Sequence, residues 1–234
     1  MKSRYSHVLT LLSALVAFLP VLAVDFLLDG YVRLREQANL QARAAAVATE
    51  IETSASEAVT LLRRILADSP SLCTPTFLAN VHKAIDGSLN LRQVLVENAD
   101  GVQYCDAYGR EVRYSRLSET LGIAGQAETL DVERLCSLDT PVLKFTQSFR
   151  ETRRVSAFVP VTLHAHGDAT QKAGAMLRLT LTSGTPVETL GDAEAFARSP
   201  QDYLTADAFA GSLPVRVVAA VPFAVMRADY ADLD

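Results

Sequence analysis

Positive charge is scarce in this 234-residue sequence, which has 22 Lys and Arg residues against 27 Asp and Glu residues and a net charge of −5. The basic residues are scattered along the chain and form no cluster. Because a nucleic-acid-binding surface needs a concentrated positive field, we exclude nucleic acid as a partner.

The motifs of the common enzyme classes are missing as well. The sequence contains no glycine-rich phosphate loop, no G-x-S-x-G nucleophile elbow, no H-E-x-x-H zinc motif and no C-x-x-C redox motif. His164 and His166 form an H-x-H, but we favour a polar turn between two strands over a metal site there. The sequence therefore predicts neither an enzyme nor a bound metal or cofactor.

Formal charge is absent from residues 5–24, which are rich in Leu, Val and Ala. Roughly 20 apolar residues are enough for a helix to cross a bilayer. Lys2 and Arg4 precede this segment and Asp25 and Asp29 follow it, so the positive-inside rule places the N-terminus in the cytoplasm. We predict a cytoplasmic N-terminus and transmembrane helix over residues 1–28, and a periplasmic domain over residues 29–234 of a bacterial inner-membrane protein.

A cleavable signal peptide is the alternative interpretation of this segment. Val21, Leu22 and Ala23 offer a small-residue cleavage pattern just after Pro20. Against cleavage, the apolar run is long, and apolar residues resume immediately after Asp25. Both interpretations export the rest of the chain.

Proline and glycine are absent from residues 31–66, which predicts a long helix continuing from the membrane segment. Apolar or small residues recur there at steps of three and four, at Leu40, Ala44, Val47, Ile51, Ala55, Ala58, Leu62 and Ile65. This stripe either packs on its own domain or forms the seam of a homodimer.

The remaining pattern predicts an α+β domain. Residues 68–71 end the long helix, and Thr74 followed by Pro75 predicts the start of a short helix reaching residue 85. We expect strands at residues 91–97, 102–105, 142–149, 155–163, 175–181 and 213–221, a less regular region at 106–140, and short helices or turns at 194–199 and 206–209. The alternation of apolar and polar residues favours a PAS/PDC-like sensor fold, with the long helix packed on a single central antiparallel sheet.

Export makes a disulfide the expected state of paired cysteines, and this chain has three. Cys73 lies in the connection between the two predicted helices and Cys105 ends a hairpin strand, so we predict that they pair. Such a bond would stabilise the domain by roughly 3 to 4 kcal/mol. Cys136 follows Val132 and Leu135 in what we interpret as a helical turn, and is predicted to be a small buried residue with a free thiol.

A family resemblance rests on these same residues. Leu72 and Cys73, the strand with Val94-Leu95-Val96, and the run Gly101-Val102-Gln103-Tyr104-Cys105 resemble the CSS-motif sensor domain of bacterial inner-membrane cyclic-di-GMP phosphodiesterases. The Cys-Ser-Ser of that family is Cys105-Asp106-Ala107 here, and the family's EAL phosphodiesterase domain is absent from this chain. The resemblance implies a redox-responsive sensor. Its implied partners are the inner membrane, the periplasmic thiol-oxidising machinery, and an EAL domain in cis or in trans.

A small-ligand-binding sensor with a purely structural disulfide is the second interpretation. Arginines that could face an anionic ligand are Arg63, Arg64, Arg150, Arg153, Arg154 and Arg178. Charged side chains on helices and strands are usually just solvated, so we assign no ligand-binding residue from the sequence. A structural or adaptor membrane protein is the third interpretation.

Overall fold

A computed structural model describes residues 2–69, 71–108, 112–136, 140–150, 152–163 and 174–231. The side chains of residues 2–18, 20–22, 25, 227 and 229–231 fall outside this description, as do His164 and His166. Within the described part, no helix has both the length and the apolar character needed to cross a membrane. The predicted span at residues 5–24 lies mostly among residues whose side chains are not described, so it stays a prediction.

Helix α1 (Lys2–Asp68) is the longest element and ends where the sequence predicted. Its stripe is buried at Leu40, Ala44, Val47, Ala55, Ala58, Leu62 and Ile65, and Ile51 packs against the same core. These residues contact the strands of their own domain. The stripe thus packs within its own domain, with Val47 buried and Ile51 half-buried, and the homodimer stays a prediction.

Helix α2 (Pro75–Asp86) confirms the predicted cap. Thr74 Oγ1 accepts a hydrogen bond from the Phe77 backbone N–H at 3.2 Å, and Pro75 occupies the first turn. The helix buries Phe77 and Val81 against α1 and the sheet, and Gly87 follows its last residue.

Seven antiparallel strands form the larger sheet. They are β1 (Gln93–Asn98), β2 (Gln103–Asp106), β3 (Tyr114–Arg116), β4 (Leu121–Gly122), β5 (Thr129–Leu135), β6 (Pro141–Phe149) and β7 (Arg153–Pro160). The order is β2-β1-β7-β6-β5-β3, and β4 also pairs with β5. The predicted hairpin and the next two strands are confirmed. The prediction of a less regular region at 106–140 is wrong for β3, β4 and β5. In β5, Asp131 and Glu133 interrupt the apolar pattern of the sequence, but the strand pairs with β6 without a break.

Four further antiparallel strands form a second sheet. They are β8 (Met176–Leu181), β9 (Pro186–Gly191), β10 (Tyr203–Phe209) and β11 (Val215–Pro222), in the order β10-β11-β8-β9. Helix α3 (Ala193–Arg198) precedes β10 and helix α4 (Phe223–Ala231) follows β11. A single central sheet was therefore the wrong prediction, and residues 206–209 are strand, since β10 pairs with β11 along its whole length.

The main core lies between α1 and both sheets. Leu130 and Val132 of β5 and Leu143 and Phe145 of β6 turn into it, together with residues of β8, β10 and β11. Because side chains alternate along a strand, Asp131 and its neighbours of the same parity lie on the opposite face of the larger sheet. That second face is the one free to form a site.

Candidate ligand cleft and disulfide

A cleft of about 480 Å³ opens on the face of the larger sheet that points away from α1. Its charged side chains are Glu97, Arg116, Asp131, Lys144 and Arg154. Its hydroxyl groups come from Tyr114, Thr120, Thr129, Thr146 and Ser148. Five strands contribute to it, so the sheet itself holds these groups in fixed relative positions.

Lys144 is at the centre of a buried ionic cluster beneath the cleft. Its Nζ lies 3.0 Å from Glu97 Oε2 and 3.4 Å from Glu133 Oε1. It also donates to the Tyr114 hydroxyl at 3.4 Å, and the Tyr114 hydroxyl in turn donates to Glu97 Oε1. The ammonium group lies over the rings of Tyr114 and Phe158, with 4.5 Å and 5.7 Å to the ring centroids, which adds cation–π attraction.

Burial perturbs the ionisation of this cluster. Burial raises the pKa of Glu133, although the charge of Lys144 opposes it. Burial alone would lower the pKa of Lys144, but the charges of Glu133 and Glu97 raise it above its ordinary value. Burial and the hydrogen bond to Glu97 raise the pKa of Tyr114. These shifts favour the charged form of Lys144 and the protonated form of Tyr114, and they move the pKa of Glu133 above its ordinary value.

Asp131 is a second acidic residue that lines the cleft. Its Oδ1 accepts a hydrogen bond from Thr120 at 2.5 Å and lies 3.9 Å from Arg116 Nε. Asp131 is buried, whereas Arg116 and Arg154 are exposed. The cleft thus has acidic groups and Lys144 at its floor and two arginines at its rim.

Arg63 connects the wall of the cleft to α1. Its Nε and Nη2 each donate to one oxygen of the Glu128 carboxylate, both at 2.7 Å. The hydrogen bonds from Arg63 lower the pKa of Glu128, despite the burial of that carboxyl. Ala127 and Thr129, on either side of Glu128, line the cleft.

Cys73 and Cys105 form a disulfide, with their Cα atoms 6.0 Å apart. Both are half-buried and pack against the core that contains Leu62, Phe77 and Val81. Cys73 has a left-handed backbone, with φ of +61°, in the tight connection between α1 and α2. The bond ties this connection to the edge strand β2.

Cys136 is a free thiol, as predicted, but its predicted setting is wrong. It directly follows β5 rather than lying in a helical turn, and its side chain is exposed rather than buried. Its backbone N–H donates to the Arg113 carbonyl, which continues the pairing of β3 with β5. The β5 pattern was missed in the sequence, and the position of Cys136 was misjudged with it.

The arginines singled out in the sequence have different positions. Arg154 lies at the cleft rim, and Arg63 pairs with Glu128. Arg153 stacks on Tyr104, with 3.7 Å from its guanidinium carbon to the ring centroid, and Arg178 lies over Phe196. The structure therefore does not bring these arginines into one site. Glu97, Asp131 and Lys144 were missed, although a lysine inside the apolar run of β6 was a visible signal.

Comparison with known proteins gives the fold. No family model matches the sequence, and no curated protein matches it significantly. The extracellular domain of rpHK1S-Z16, described as a histidine kinase, is similar with a TM-score of 0.55 and 12% identity, covering 81% of this chain and 95% of that one. The ligand-binding domain of Mlp24, solved with asparagine, is similar with a TM-score of 0.51 and 12% identity, covering 87% of this chain and 98% of that one.

The chain therefore has the mixed α+β fold of extracellular sensor and ligand-binding domains. This confirms the predicted α+β class of the domain. These comparisons do not show a relationship to the CSS-motif family.

Proposed function

We propose that this chain is an extracytoplasmic sensor domain that binds a small zwitterionic molecule in the cleft of the larger sheet. The observation that carries the proposal is the arrangement of charge in the cleft. Buried Asp131 lies at its floor, and the exposed guanidinium groups of Arg116 and Arg154 lie at its rim. A ligand with an ammonium group and a carboxylate matches both.

The size and lining of the cleft support a small ligand. Its volume of about 480 Å³ falls within the range of roughly 300 to 1,000 Å³ that is usual for small-molecule sites. The hydroxyl groups of Thr129, Thr146 and Ser148 provide donors and acceptors along one wall. An exposed arginine pairs well with a carboxylate because its planar guanidinium donates two parallel hydrogen bonds.

Membrane attachment is the second part of the proposal. We place residues 1–28 in the cytoplasm and inner membrane, and residues 29–234 in the periplasm. Phe26, Leu27 and Leu28 support this, because these large apolar side chains on α1 are exposed in the described domain. A lipid environment at this end of α1 would cover them.

A homodimer is a further proposal, with a different seam from the stripe named in the sequence. Val24, Leu27, Tyr31 and Leu34 follow one another at steps of three, four and three, and all four are exposed. They lie on the side of α1 opposite Glu36 and Leu40, which are buried against the domain. A second copy of α1 fits this spacing.

A redox role for the disulfide, with control of a cyclic-di-GMP phosphodiesterase, is the alternative function. What favours it is the position of Cys73 and Cys105, half-buried and at the end of the helix that leads to the membrane. The thiol-oxidising machinery of the periplasm would form the bond. The output would be an EAL domain in cis or in trans, as the family resemblance implies.

Thermal unfolding of the full chain with each of the twenty common L-amino acids tests the ligand. A ligand present at about 100 times its Kd stabilises the folded state by about 2.7 kcal/mol, which raises Tm by roughly 5 to 10 °C for a chain of this size. We expect at least one zwitterion to do so, and expect dicarboxylic acids that lack an ammonium group to have no effect.

Variants separate specific binding from general stabilisation. Asp131→Asn and Arg116→Gln should each abolish the Tm shift. Arg134→Gln is the matched control, since Arg134 is exposed on the same strand as Asp131 but does not line the cleft. A shift that survives both cleft substitutions, or a panel without any shift, would contradict the proposed ligand class.

A further inference from the structure

We propose that the cluster of Glu97, Tyr114, Glu133 and Lys144 is a proton-binding site, and that its single proton controls the position of β3 against the cleft. The chain would then respond to the acidity of its surroundings in addition to any small ligand. This inference concerns the buried cluster, and it does not depend on the identity of a ligand in the cleft.

The charge of the cluster is the first argument. It contains two carboxylates and one ammonium group, and the side chains of Lys144, Glu97 and Glu133 are only 5%, 4% and 0% exposed. With both carboxylates ionised, one negative charge would be buried without a counter-charge in the cluster, which is costly in a low-dielectric interior. One bound proton removes that charge.

Hydrogen bonding decides which carboxyl holds the proton. Glu97 accepts from Tyr114 and is the nearer partner of Lys144, at 3.0 Å. Among the described residues, Glu133 accepts a side-chain hydrogen bond only from Lys144, whose Nζ lies 3.4 Å from Oε1. The other carboxylate oxygen, Oε2, is buried and has no hydrogen-bond partner there. Since an ionised oxygen without a donor is the least stable arrangement, Glu133 is the proton carrier. The raised pKa of Glu133, caused first by burial, agrees with this assignment.

The charged groups around the cluster do not supply the missing charge. Asp131, on the same strand as Glu133, adds a further negative charge that raises the pKa of Glu133. Arg116 on β3 lies 3.9 Å from Asp131 and offsets that carboxylate rather than Glu133. Arg154 on β7 is exposed at the cleft rim, where water screens it.

Loss of the proton has a structural consequence through Tyr114. Ionised Glu133 attracts Lys144 away from Glu97 and from the Tyr114 hydroxyl, to which Lys144 donates. Tyr114 belongs to β3, a strand of three residues that pairs with β5. Few hydrogen bonds hold so short a strand, and both Tyr114 and Arg116 line the cleft. The proton on Glu133 is thereby coupled to one wall of the cleft.

NMR of the full chain with ¹³C-labelled tyrosine rings tests the coupling. The chain has seven tyrosines and no tryptophan, and the Tyr114 signal is identified by its loss in Tyr114→Phe. Between pH 4 and pH 8, we expect this signal to shift with one midpoint above the ordinary glutamate value of about 4.3. The shift should vanish in Glu133→Gln and persist in Glu119→Gln, which changes an exposed glutamate.

A Tyr114 signal that does not change with pH, or that changes equally in Glu133→Gln, would overturn the proposal. Should Glu133→Gln fail to fold, the wild-type chain labelled with ¹³C at its glutamate carboxyl groups provides a second measurement. One carboxyl must then titrate above the ordinary range. If every glutamate titrates within that range, Glu133 is not a proton carrier and the proposal is wrong.

Discussion

Arg63 and Glu128 join α1 to the wall of the cleft through two hydrogen bonds of 2.7 Å each. The Glu128 side chain is fully buried, whereas that of Arg63 is 51% exposed. Because Ala127 and Thr129 line the cleft, the pair links one wall of the cleft to α1. This pair adds a polar link between the cleft wall and α1 to the apolar packing of α1 on the strands of the sheet.

Removing either partner of this pair should destabilise the domain. We expect Arg63→Gln to lower the free energy of unfolding by about 1 to 2 kcal/mol, because it leaves a buried carboxylate with weaker donors while water partly compensates at the exposed side. Urea titration measures the loss. Arg64→Gln is the matched control, since Arg64 is its exposed neighbour on α1, and an equal loss in both variants would contradict a specific role for Arg63.

The same pair makes stability depend on acid. The pKa of Glu128 is lowered in the folded state by the hydrogen bonds from Arg63. A carboxyl with a lowered folded pKa contributes stability above its unfolded value of about 4.3, and this contribution is lost as pH falls through the folded pKa. Below pH 4.3, wild type should therefore lose stability faster than Glu128→Gln. Parallel curves for the two proteins would show that the pair does not titrate as described.

Local signals in the sequence were sufficient for part of the fold. The Thr74 cap with Pro75 fixes the start of α2, and the turn ending at Gly101 fixes the β1–β2 hairpin, since both depend on neighbouring residues alone. The pairing of Cys73 with Cys105 followed from these two positions.

The second sheet and the cleft depend on contacts between distant residues. β8 pairs with β11, and no local pattern records that these strands leave the larger sheet. In β5, acidic residues occupy strand positions because the cleft and Lys144 accommodate them, so a rule based on apolar alternation rejects the strand. The face of the larger sheet that carries the cleft was therefore not predictable from local sequence patterns.

Gly191 should be indispensable to the second sheet. Its φ is +96°, and a Cβ at this position would lie 2.1 Å from the Ala175 carbonyl oxygen. Gly191→Ala therefore combines backbone strain with a backbone clash, and should lower the free energy of unfolding by at least about 2 kcal/mol. Gly122→Ala is the control, because a Cβ there meets no atom within 4 Å. Equal Tm values for the two variants would contradict the placement of β9 against β8.

The proposed dimer seam predicts a crosslink at Leu34. In a chain with Cys136→Ala, the substitution Leu34→Cys should give a disulfide-linked dimer in intact membranes, because Leu34 is 73% exposed on the proposed seam. Arg33→Cys, which is exposed and lies about 100° from Leu34 around the same helix, should crosslink much less. Equal crosslinking at both positions would indicate random collision, and none at Leu34 would remove this seam.

The disulfide separates the two functional hypotheses. Losing it should cost roughly 3 to 4 kcal/mol through the unfolded state, so Cys73→Ala, Cys105→Ala and the double variant should be destabilised alike, and Cys136→Ala should not be. Stability alone does not distinguish a structural bond from a switch, because both lose the same unfolded-state constraint.

The deciding measurement is ligand affinity at a temperature where all variants remain folded. If the bond is structural, the folded variants keep the wild-type Kd, since none of the five strands that line the cleft contains either cysteine. If the bond is a redox switch, opening it frees the α1–α2 connection from β2, and the change reaches Arg63, Glu128 and the cleft wall. Affinity would then change equally in all three disulfide variants and remain at the wild-type value in Cys136→Ala. An equal change in Cys136→Ala would exclude the Cys73–Cys105 bond as its cause.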